Sequence, residues 1–268
     1  MKTIRVLVVG ACGKTGTEII KGIRRENDMI LAAAVDINGK GQDIGTVIDG
    51  RPTGIIISDN LAAVLRTAKA DVMVDFTHPT AVAANIRMAI MSRTPMVVGT
   101  TGLTAAEREE INQMALEQSL GVIIAPNFAL GAVLLSHFAA QAARFLPAAE
   151  IIERHHSAKA DSPSGTALQI AERIRLGRQK LSRPETQDSR EIVPGVRGGD
   201  VSGVRIHSLR LPGSVAHHEV VFGGLGQTLT LRHDSLSRES FVPGVLLAIR
   251  NVRRFQGVVY GIEELLEL

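Results

Sequence analysis

The sequence has very few aromatic residues and a single cysteine. It contains no Trp, and the aromatic fraction is only 3%, so Ala, Val, Ile and Leu must form most of the core, as is typical of a parallel sheet covered by helices. The scarcity of aromatic rings also disfavours stacking on nucleic-acid bases. Because Cys12 is the only cysteine, no disulfide can form within the chain, which favours a reducing compartment.

Long apolar runs and a strong excess of one charge are also missing. No stretch approaches the ~20 uninterrupted apolar residues that a membrane span requires, and the first residues lack the apolar region of a signal peptide. The 30 basic and 27 acidic residues leave a net charge of only +3, whereas nucleic-acid binding needs a clustered basic face. We therefore expect a cytoplasmic protein that binds neither membranes nor nucleic acid.

The first half of the chain alternates between strand and helix patterns. Val- and Ile-rich runs predict strands at residues 4–9, 30–35, 71–76, 96–99 and 121–125. Helical patterns lie between them at residues 15–25, 79–92 and 104–118, the last with a capping-box spacing of Thr104 and Glu107. Strands that alternate with helices predict right-handed crossovers and a parallel sheet. This part of the chain is therefore expected to be a Rossmann-type domain.

Beyond residue 127 the regular alternation ends. Helices are expected at residues 130–146, 165–175 and 238–254, strands at 150–157, 204–211, 217–222 and 228–233, and a mobile polar loop at 177–202. In the last three strands apolar and polar residues alternate, which indicates a sheet with one open face. The sequence thus predicts an α/β protein in which the parallel-sheet domain is joined to a second, α+β-like α/β domain with an open mixed sheet.

A glycine-rich turn follows the first predicted strand. It has the spacing G-x-x-G-x-x-G and consists of Gly10, Ala11, Cys12, Gly13, Lys14, Thr15 and Gly16. Glycines there let the backbone approach a pyrophosphate bound at the helix N-terminus, and Asp36, about 20 residues on, could bind the adenosine ribose. The spacing alone is weak evidence, since Cys12 replaces a glycine of the usual pattern. The alternative is a tight turn with an incidental Asp36.

Charges near this turn bear on the choice of nicotinamide cofactor. The carboxylate of Asp36 would repel the 2′-phosphate of NADPH, whereas Lys14 or Lys40 could pair with that phosphate. We therefore predict that NADH is used and that NADPH is also accepted.

Two further polar segments end predicted parallel strands, where ligands of such sheets usually bind. One contains Phe76 and Thr77, and the other contains Gly99, Thr100 and Thr101. Glycine and hydroxyl-bearing residues at these positions could accommodate the nicotinamide ribose. For Thr77 the alternative is a helix cap in front of Pro79.

The densest polar cluster of the sequence occupies residues 153–166, where a predicted strand gives way to a helix. Ser164, Gly165 and Thr166 stand at the helix start. Free N–H groups, the helix dipole and two hydroxyls can all face a carboxylate there. This segment therefore predicts a binding site for an anionic substrate.

The same cluster contains groups that can transfer protons. Histidine is the side chain best suited to exchange protons near neutral pH, which makes His155 a candidate proton donor, and Lys159 adds a positive charge or a proton. A reduction needs a hydride on one atom and a proton on another, so a cofactor, an acid and an anion site form a complete set. Adjacent His155 and His156 point to opposite sides of an extended chain. They are poorly placed to share a metal ion, and no metal is expected.

The cluster also resembles the signature of a known family. The stretch H-H-S-A-K-A-D-S-P-S-G-T-A at residues 155–167 is similar to that of the 4-hydroxy-tetrahydrodipicolinate reductase family, also called dihydrodipicolinate reductase. Further matches are V-G-A-C-G-K-T-G at 9–16, V-D-F-T at 74–77, G-T-T-G at 99–102, A-P-N-F-A-L-G at 125–131 and H-D-S-L-S-R-E-S-F at 233–241. The resemblance covers nearly the whole chain.

The resemblance implies an enzyme of bacterial lysine and diaminopimelate biosynthesis. Its substrate would be 4-hydroxy-tetrahydrodipicolinate, a cyclic imine dicarboxylate, reduced to tetrahydrodipicolinate with NADH or NADPH. The family organisation implies a dinucleotide-binding domain at 1–127, rejoined by a C-terminal helix at 238–268. It also implies a substrate-binding domain at 128–237, which builds a homotetramer through its sheet.

Roles for individual residues follow from the same resemblance. His155 would be the proton donor, with Lys159 as its partner. The residues expected to hold the substrate are His156, Ser164, Gly165, Thr166 and Arg238. Those expected to line the nicotinamide side and the hinge are Ala125, Asn127 and Phe128.

Two other functions stay open at the level of sequence. One is a different NAD(P)-dependent dehydrogenase of imino or amino acids with the same architecture. The other is a dinucleotide-sensing module without catalysis, against which the complete set of His155, Lys159 and residues 164–166 argues. The stretch at residues 207–213 departs from the enterobacterial pattern of the family, so cofactor preference should not be transferred from that branch.

Overall fold

The computed structural model of the protein describes residues 3–178 and 190–268. Two compact units divide the chain. The first comprises Met1–Phe128 together with Arg238–Leu268, and the second comprises Ala129–Ser237. The second unit is therefore an insertion into the chain of the first.

The first unit contains a six-stranded parallel sheet. Its strands are β1 (Ile4–Val9), β2 (Met29–Val35), β3 (Val72–Asp75), β4 (Met96–Val98), β5 (Gly121–Ile124) and β11 (Gly257–Tyr260). Their order is β11-β5-β4-β3-β1-β2, and all neighbours run parallel. The order reverses between β1 and β3, where open parallel sheets bind ligands. The predicted Rossmann-type sheet is confirmed.

Helices connect these strands. They are α1 (Lys14–Ile23), α2 (Ile44–Asp49), α3 (Leu61–Thr67), α4 (Pro79–Met91), α5 (Ala105–Glu117) and α8 (Val242–Asn251). The predicted capping box of Thr104 and Glu107 is present at the start of α5. Helices α2 and α3 were not predicted; each is shorter than two helical turns, and a side-chain cap precedes it, Asp43 for α2 and Asn60 for α3.

Complete burial explains why the parallel strands could be predicted from the sequence. Every residue of β3, β4 and β5 is buried, so these strands consist of short continuous apolar runs rather than alternating ones. In α1, by contrast, only one face is buried, and it carries Ile19, Ile20 and Ile23. None of the helices in residues 3–178 and 190–268 has the length and apolarity needed to cross a membrane.

The C-terminal segment differs from the prediction. Instead of one helix over 238–254 and a helical return over 238–268, α8 ends at Asn251 and is flanked by short 3₁₀ turns. The chain then enters β11, which pairs with β5. Gly257 has a φ of +79°, a conformation that favours glycine, and the Val258–Tyr260 segment that follows has strong strand propensity.

The second unit contains a five-stranded mixed sheet with two helices. Its strands are β6 (Ala148–His155), β7 (Gly199–Val201), β8 (Val204–Arg210), β9 (Ala216–Gly224) and β10 (Gln227–Ser235), in the order β10-β9-β6-β8-β7. Only β6 and β8 pair in parallel. The helices are α6 (Leu130–Ala142) and α7 (Gly165–Arg178). The prediction of an open mixed sheet is confirmed.

One face of this sheet packs on the helices. Ile151 of β6 and Phe222 of β9 form a buried cluster with Ile170 and Ile174 of α7. On the opposite face Ile152 and other apolar side chains are partly exposed. Side chains alternate along a strand, so the buried odd-numbered positions of β6 share the helix-covered face.

Several predicted boundaries in this unit change, and helix α6 for example ends at Ala142 instead of residue 146. Strand β6 ends at His155 and not at residue 157, because the chain turns away after the hydrogen bond from the N–H of Leu211 to the carbonyl of His155. Within the predicted loop at 177–202, helix α7 continues to Arg178 and residues 199–201 form β7. Residues 179–189 of that loop lie outside the described part of the chain.

Candidate functional site

The glycine turn connects β1 to α1 and leaves no room for a side chain at its first and last glycines. Gly10 has a φ of +80°, and a Cβ on it would overlap the carbonyl of Phe76. A Cβ on Gly16 would likewise overlap the carbonyl of Gly10. Gly13 is the N-cap of α1 and donates its N–H to that same carbonyl at 3.1 Å. The turn therefore requires glycine at both ends and presents the open N-terminus of α1.

Asp36 lies at this turn rather than apart from it. Its Oδ2 accepts the backbone N–H of Cys12 at 2.9 Å, and its Oδ1 accepts that of Asn38 at 2.8 Å. Each carboxylate oxygen can accept a further hydrogen bond. The interaction with Cys12 links the end of β2 to the turn, and burial together with Asp36 raises the pKa of the Cys12 thiol.

A cavity of about 790 Å³ opens beside the turn in the first unit. Predicted residues that line it are Gly10, Cys12, Gly13, Asp36, Lys40, Phe76 and Thr77. Asp59 also lines it, and its Oδ2 pairs with Lys40 Nζ at 2.8 Å, with both side chains exposed. The volume lies in the range of ordinary cofactor and ligand pockets.

Asp75 ends β3 and organises the neighbouring strand ends. Its side chain is fully buried. Oδ1 accepts from the backbone N–H and hydroxyl of Thr77 and from the hydroxyl of Thr100, and Oδ2 accepts from Asn85 Nδ2. Burial raises the pKa of Asp75 despite these hydrogen bonds. Thr77 and Thr100 are thus brought together, with the Thr77 N–H also 2.7 Å from Thr100 Oγ1.

The helix that follows is capped by His78 and not by Thr77. The Nδ1 of His78 accepts the N–H of Thr80 at the start of α4, with Pro79 as its first residue. The alternative interpretation of Thr77 as a cap is therefore wrong, because its hydroxyl donates to Asp75 instead.

Residues expected on the nicotinamide side differ in exposure. Phe76 and Phe128 pack with ring centroids 5.7 Å apart, and a side chain on Gly99 would overlap the ring of Phe76. Ala125 and Phe128 are buried, while Asn127 is partly buried and Thr101 is exposed. The two buried residues contribute to the packing of the first unit.

In the second unit His155 and His156 point in different directions, as predicted. His155 is 7% exposed and faces the helix-covered side of the sheet, whereas His156 is exposed. The Nδ1 of His155 lies against Oε2 of Glu153. The imidazole of His155 therefore has its Nδ1 occupied by a carboxylate.

Glu153 is fully buried two residues earlier in β6. Its Oε1 accepts from Arg210 Nη1 at 2.9 Å. Burial would raise the pKa of Glu153, but hydrogen bonds from His155, Ser208 and Arg210 outweigh it and lower the pKa to about 2. The carboxylate is thus ionised at neutral pH.

His218 of β9 completes this group. Its ring is edge-on to His155 with centroids 5.3 Å apart, and its Nε2 is 3.1 Å from Ser164 Oγ. Burial and then the charge of His155 lower the pKa of His218 to about 4. Ser164 Oγ also accepts the N–H of Ala167, which makes Ser164 a cap of α7. Its hydroxyl is accordingly directed into the unit.

Lys159 and Asp161 form an ion pair on the loop between β6 and α7. Lys159 Nζ contacts both carboxylate oxygens of Asp161 at 2.6 and 2.8 Å. The backbone carbonyl of Asp161 accepts from Arg210 Nη2 at 2.6 Å. Arg210 therefore links the loop that carries Lys159 to the carboxylate that contacts His155.

The structure groups some predicted residues and separates others. His155 and Ser164 belong to one network through His218. Gly165 is exposed and Thr166 partly buried in the first turn of α7. Arg238 belongs to the first unit, where it is exposed in a 3₁₀ turn.

Several residues of these sites were not predicted, namely Asp75, Asp161, Glu153, Arg210 and His218. One signal was available for Glu153, since it alternates with Ile151 and His155 in β6 and therefore had to be buried beside the histidine. Within the described residues, Glu153, His155 and His218 also place ligand-type atoms within 4.8 Å of one another and could hold a metal ion.

Two family models match the chain and together span most of it. Residues 4–128 match the N-terminal part of dihydrodipicolinate reductase, and residues 131–266 match its C-terminal part.

Curated proteins and solved structures give the same result. The chain is 49% identical to the 4-hydroxy-tetrahydrodipicolinate reductase of Moorella thermoacetica, over 99% of this chain and 98% of that protein. It is 47% identical to the 4-hydroxy-tetrahydrodipicolinate reductase of Desulfitobacterium hafniense strain DCB-2, over the full length of both. A dipicolinate-bound dihydrodipicolinate reductase from Paenisporosarcina sp. TG-14 superposes with a TM-score of 0.87 and 38% identity, covering 98% of this chain and 99% of the other.

Proposed function

Because the chain belongs to the dihydrodipicolinate reductase family, we propose that it reduces 4-hydroxy-tetrahydrodipicolinate to tetrahydrodipicolinate in lysine and diaminopimelate biosynthesis. NAD(P)H and a proton are consumed, and NAD(P)⁺ and water are released. The proposal depends above all on the segment from His155 to Thr166, which joins an imidazole, an ammonium and a helix N-terminus in one unit. The cytoplasm is the proposed compartment.

The first unit fits a nicotinamide dinucleotide. The family is a dinucleotide-dependent reductase family, and the glycine turn leaves α1 open for a pyrophosphate, since side chains on Gly10 or Gly16 would collide with backbone. The bound cofactor supplies the hydride. Asp36 is oriented by Cys12 and Asn38 and can accept hydrogen bonds from a ribose. Thr77 and Thr100, held by Asp75, are proposed to position the nicotinamide ribose.

NADH is proposed as the preferred cofactor, with NADPH also used. The Asp36 carboxylate lines the cavity and would repel a 2′-phosphate. Lys40 lines it as well, but its ammonium already pairs with Asp59. Both side chains of that pair are exposed, so a phosphate can compete for the ammonium. This arrangement supports a preference for NADH that still allows NADPH to bind.

His155 is proposed to donate the proton. Its Nδ1 faces Glu153, so Nε2 is the ring nitrogen left to face a substrate. Lys159 is proposed as the second cation of the reaction site, in an ion pair that an incoming dicarboxylate can replace. Histidine side chains commonly act as proton donors because the charge of an imidazole changes within the physiological pH range.

The substrate carboxylates are proposed to bind at the start of α7. A helix N-terminus presents unpaired N–H groups and a partial positive charge. A Cβ added to Gly165 would meet no atom within 4 Å, so a ligand can approach the backbone closely from that side. Ser164 supports this site by capping α7, and His156 and Thr166 supply further donors. Arg238 is proposed as an additional contact.

A coupled assay tests the reaction. The purified protein is given NADH or NADPH and the freshly formed condensation product of pyruvate and aspartate semialdehyde, and cofactor oxidation is followed. We expect turnover that requires the cyclic dicarboxylate. Replacing His155 by Asn or Lys159 by Met should lower kcat by roughly 10²–10⁴-fold. Cofactor binding without turnover would instead support a sensing module, and turnover of other imines would support a different dehydrogenase.

A homotetramer is proposed as the assembly. The face of the second sheet opposite α6 and α7 exposes Ile152 and Leu209, each by 37%, around a cavity of about 680 Å³. Such an apolar surface on a sheet is typical of an oligomer interface. Light scattering of the eluted protein should give four times the chain mass, and a monomer at micromolar concentration would contradict the proposal.

A further inference from the structure

Glu153 occupies the centre of the second sheet, on the side covered by helices. Strand β6 lies between β8 and β9, and Glu153 pairs in register with Ser208 of β8 and His218 of β9. Cross-strand partners share one face of a sheet. The carboxylate is therefore enclosed from both neighbouring strands, and its side chain is fully buried.

A buried carboxylate is costly unless every charge is compensated. Here Arg210 Nη1 donates to Oε1 at 2.9 Å, and the Nδ1 of His155 lies against Oε2. Each oxygen thus has its own cationic or polar partner. The pKa of about 2 that results keeps Glu153 ionised throughout the neutral range.

Charged and titratable groups from every neighbouring element surround His155. From β8 comes Arg210, and from β9 comes His218, whose low pKa keeps it neutral. On the following loop Lys159 is neutralised by Asp161. On the next strand His233 has a pKa lowered by burial. Glu153 is the negative charge in direct contact with the ring.

An alternative interpretation of this cluster is a metal site in which Glu153, His155 and His218 are the ligands. The guanidinium of Arg210 lies directly on the carboxylate, and a second cation there would be repelled. His218 Nε2 is also engaged with Ser164. The contacts therefore favour a hydrogen-bonded network over metal coordination.

We propose that Glu153 is a positioning residue for the reaction, whose carboxylate accepts the Nδ1–H of His155 and thereby fixes both the tautomer and the direction of Nε2. The inference rests on the proposed function of His155 as proton donor. A carboxylate in this position also stabilises the protonated imidazole. Arg210 of β8 in turn holds the carboxylate of Glu153 on β6, so residues from two strands fix the position of His155.

Two experiments test this proposal, and the first needs no substrate. Solid-state ¹⁵N spectra of protein labelled at histidine, with the His155 signals assigned through H155N, report which ring nitrogen carries hydrogen. We expect Nδ1–H in the wild type near pH 8 and a loss of this preference in E153Q. A wild-type His155 with hydrogen on Nε2 and none on Nδ1 would overturn the proposal even if the enzyme is active.

The second experiment is kinetic. E153Q should lower kcat between about 10- and 100-fold while KM for the dicarboxylate changes little. The fall of kcat at high pH should begin at lower pH, because the protonated imidazole has lost its neighbouring negative charge. E153D keeps the charge and should recover part of the rate, and chelation of metals should change nothing. An activity that depends on added Zn²⁺ would overturn the proposal in favour of the metal site.

Glu172→Gln is the matched control, because Glu172 is an exposed glutamate of α7 paired with Arg175. It should leave rate and pH profile unchanged. If E153Q keeps kcat within twofold and the same profile, the positioning role is wrong. If the wild type turns over no dicarboxylate, the proposed function fails while the ¹⁵N spectra still decide the Glu153–His155 contact. If E153Q does not fold, the wild-type spectrum and E153D decide it.

Discussion

Among the described residues, each unit of the molecule buries one carboxylate completely, Asp75 at the end of β3 and Glu153 within β6. Both oxygens of Asp75 accept hydrogen bonds. In Glu153, Oε1 accepts a hydrogen bond from Arg210 and Oε2 lies against the Nδ1 of His155. The donors to Asp75 are all neutral, and its pKa is raised. Glu153 has Arg210 and His155, and its pKa falls to about 2. Both side chains are shielded from solvent, but Asp75 is the more deeply enclosed, so the depth of burial and the charge of the partners together set the direction of the shift.

The difference separates two uses of a buried acid. Asp75 holds hydroxyl and amide groups in place, a task that depends on geometry more than on charge. Glu153 holds two groups that can be cationic, so its charge is part of the site. Substitutions that remove charge but keep shape should therefore affect the second unit far more than the first.

The largest effect on stability is expected from Arg210→Gln. It leaves Glu153 buried without its guanidinium partner, and breaking a buried ion pair in this way costs on the order of 3 kcal/mol. Urea unfolding at pH 7 and fixed protein concentration measures it. In a background of E153Q the cost should be much smaller. A change below about 0.5 kcal/mol in R210Q alone would show that the pair is not coupled.

The effect expected from His218→Gln depends on pH, and near pH 7, where His218 is neutral, it is smaller than that of Arg210→Gln. The folded protein holds His218 at a pKa of about 4, against 6.5 for an ordinary histidine. The unfolded chain therefore binds this proton first as the pH falls, so stability is complete above pH 6.5 and is lost progressively towards pH 4. The loss can reach about 3 kcal/mol. H218Q can still donate to Ser164 and should remove this part of the pH dependence.

For the His218 prediction the check is a series of unfolding curves between pH 4 and 7. If wild type and H218Q lose stability in parallel over that range, the neutral state of His218 is not what stabilises the network. Glu153 acts at lower pH, because its stabilisation is complete above 4.5 and is lost as the pH falls towards 2.

Asp75→Asn should have a smaller effect, of about 1 kcal/mol or less at pH 7. The raised pKa means that ionisation is disfavoured in the fold, so the charge can be removed cheaply. The side chain of Asn85 can rotate to present its oxygen to the new amide. In the wild type this group makes stability fall as the pH rises from 3.8 through the folded pKa, opposite in sign to Glu153. D75N should lack that fall, and a loss as large as in R210Q would remove the contrast between the two acids.

The smallest effect is expected for the exposed carboxylate of Asp59. Water screens its pair with Lys40, so Asp59→Asn should not change the unfolding transition. The freed ammonium should raise the kcat/KM of NADPH relative to NADH by about two- to fivefold. Steady-state kinetics with both cofactors measure the ratio. An unchanged ratio would show that Lys40 does not reach the 2′-phosphate.

Much of the fold could be predicted because burial leaves a local pattern. Strands β3, β4 and β5 are short apolar runs, and α1 has its isoleucines on one face. The helices α2 and α3 were not predicted, because one or two turns are too short to show the 3.6-residue hydrophobic period of a helix. Strand β11 was not predicted, because its pairing with β5 is a long-range contact that no local pattern encodes.

The candidate sites divide in the same way. The glycine turn and the segment 155–166 are continuous in sequence and could be predicted. Arg210 and His218 could not, since they reach Glu153 only because β8 and β9 flank β6 in register. Ser164 was expected to face a ligand, yet its hydroxyl caps α7 and contacts His218. The contact with His218 joins residues 54 positions apart, which no local pattern encodes.

The strand β11 has a consequence for how the chain is made. It completes the parallel sheet by pairing with β5, although 132 residues separate Ile124 from Gly257 in the sequence. During synthesis the ribosome must therefore finish the entire inserted unit before the edge of β5 can be covered. Until then the nascent chain presents an unpaired apolar edge, the kind of surface that chaperones bind and that aggregation exploits.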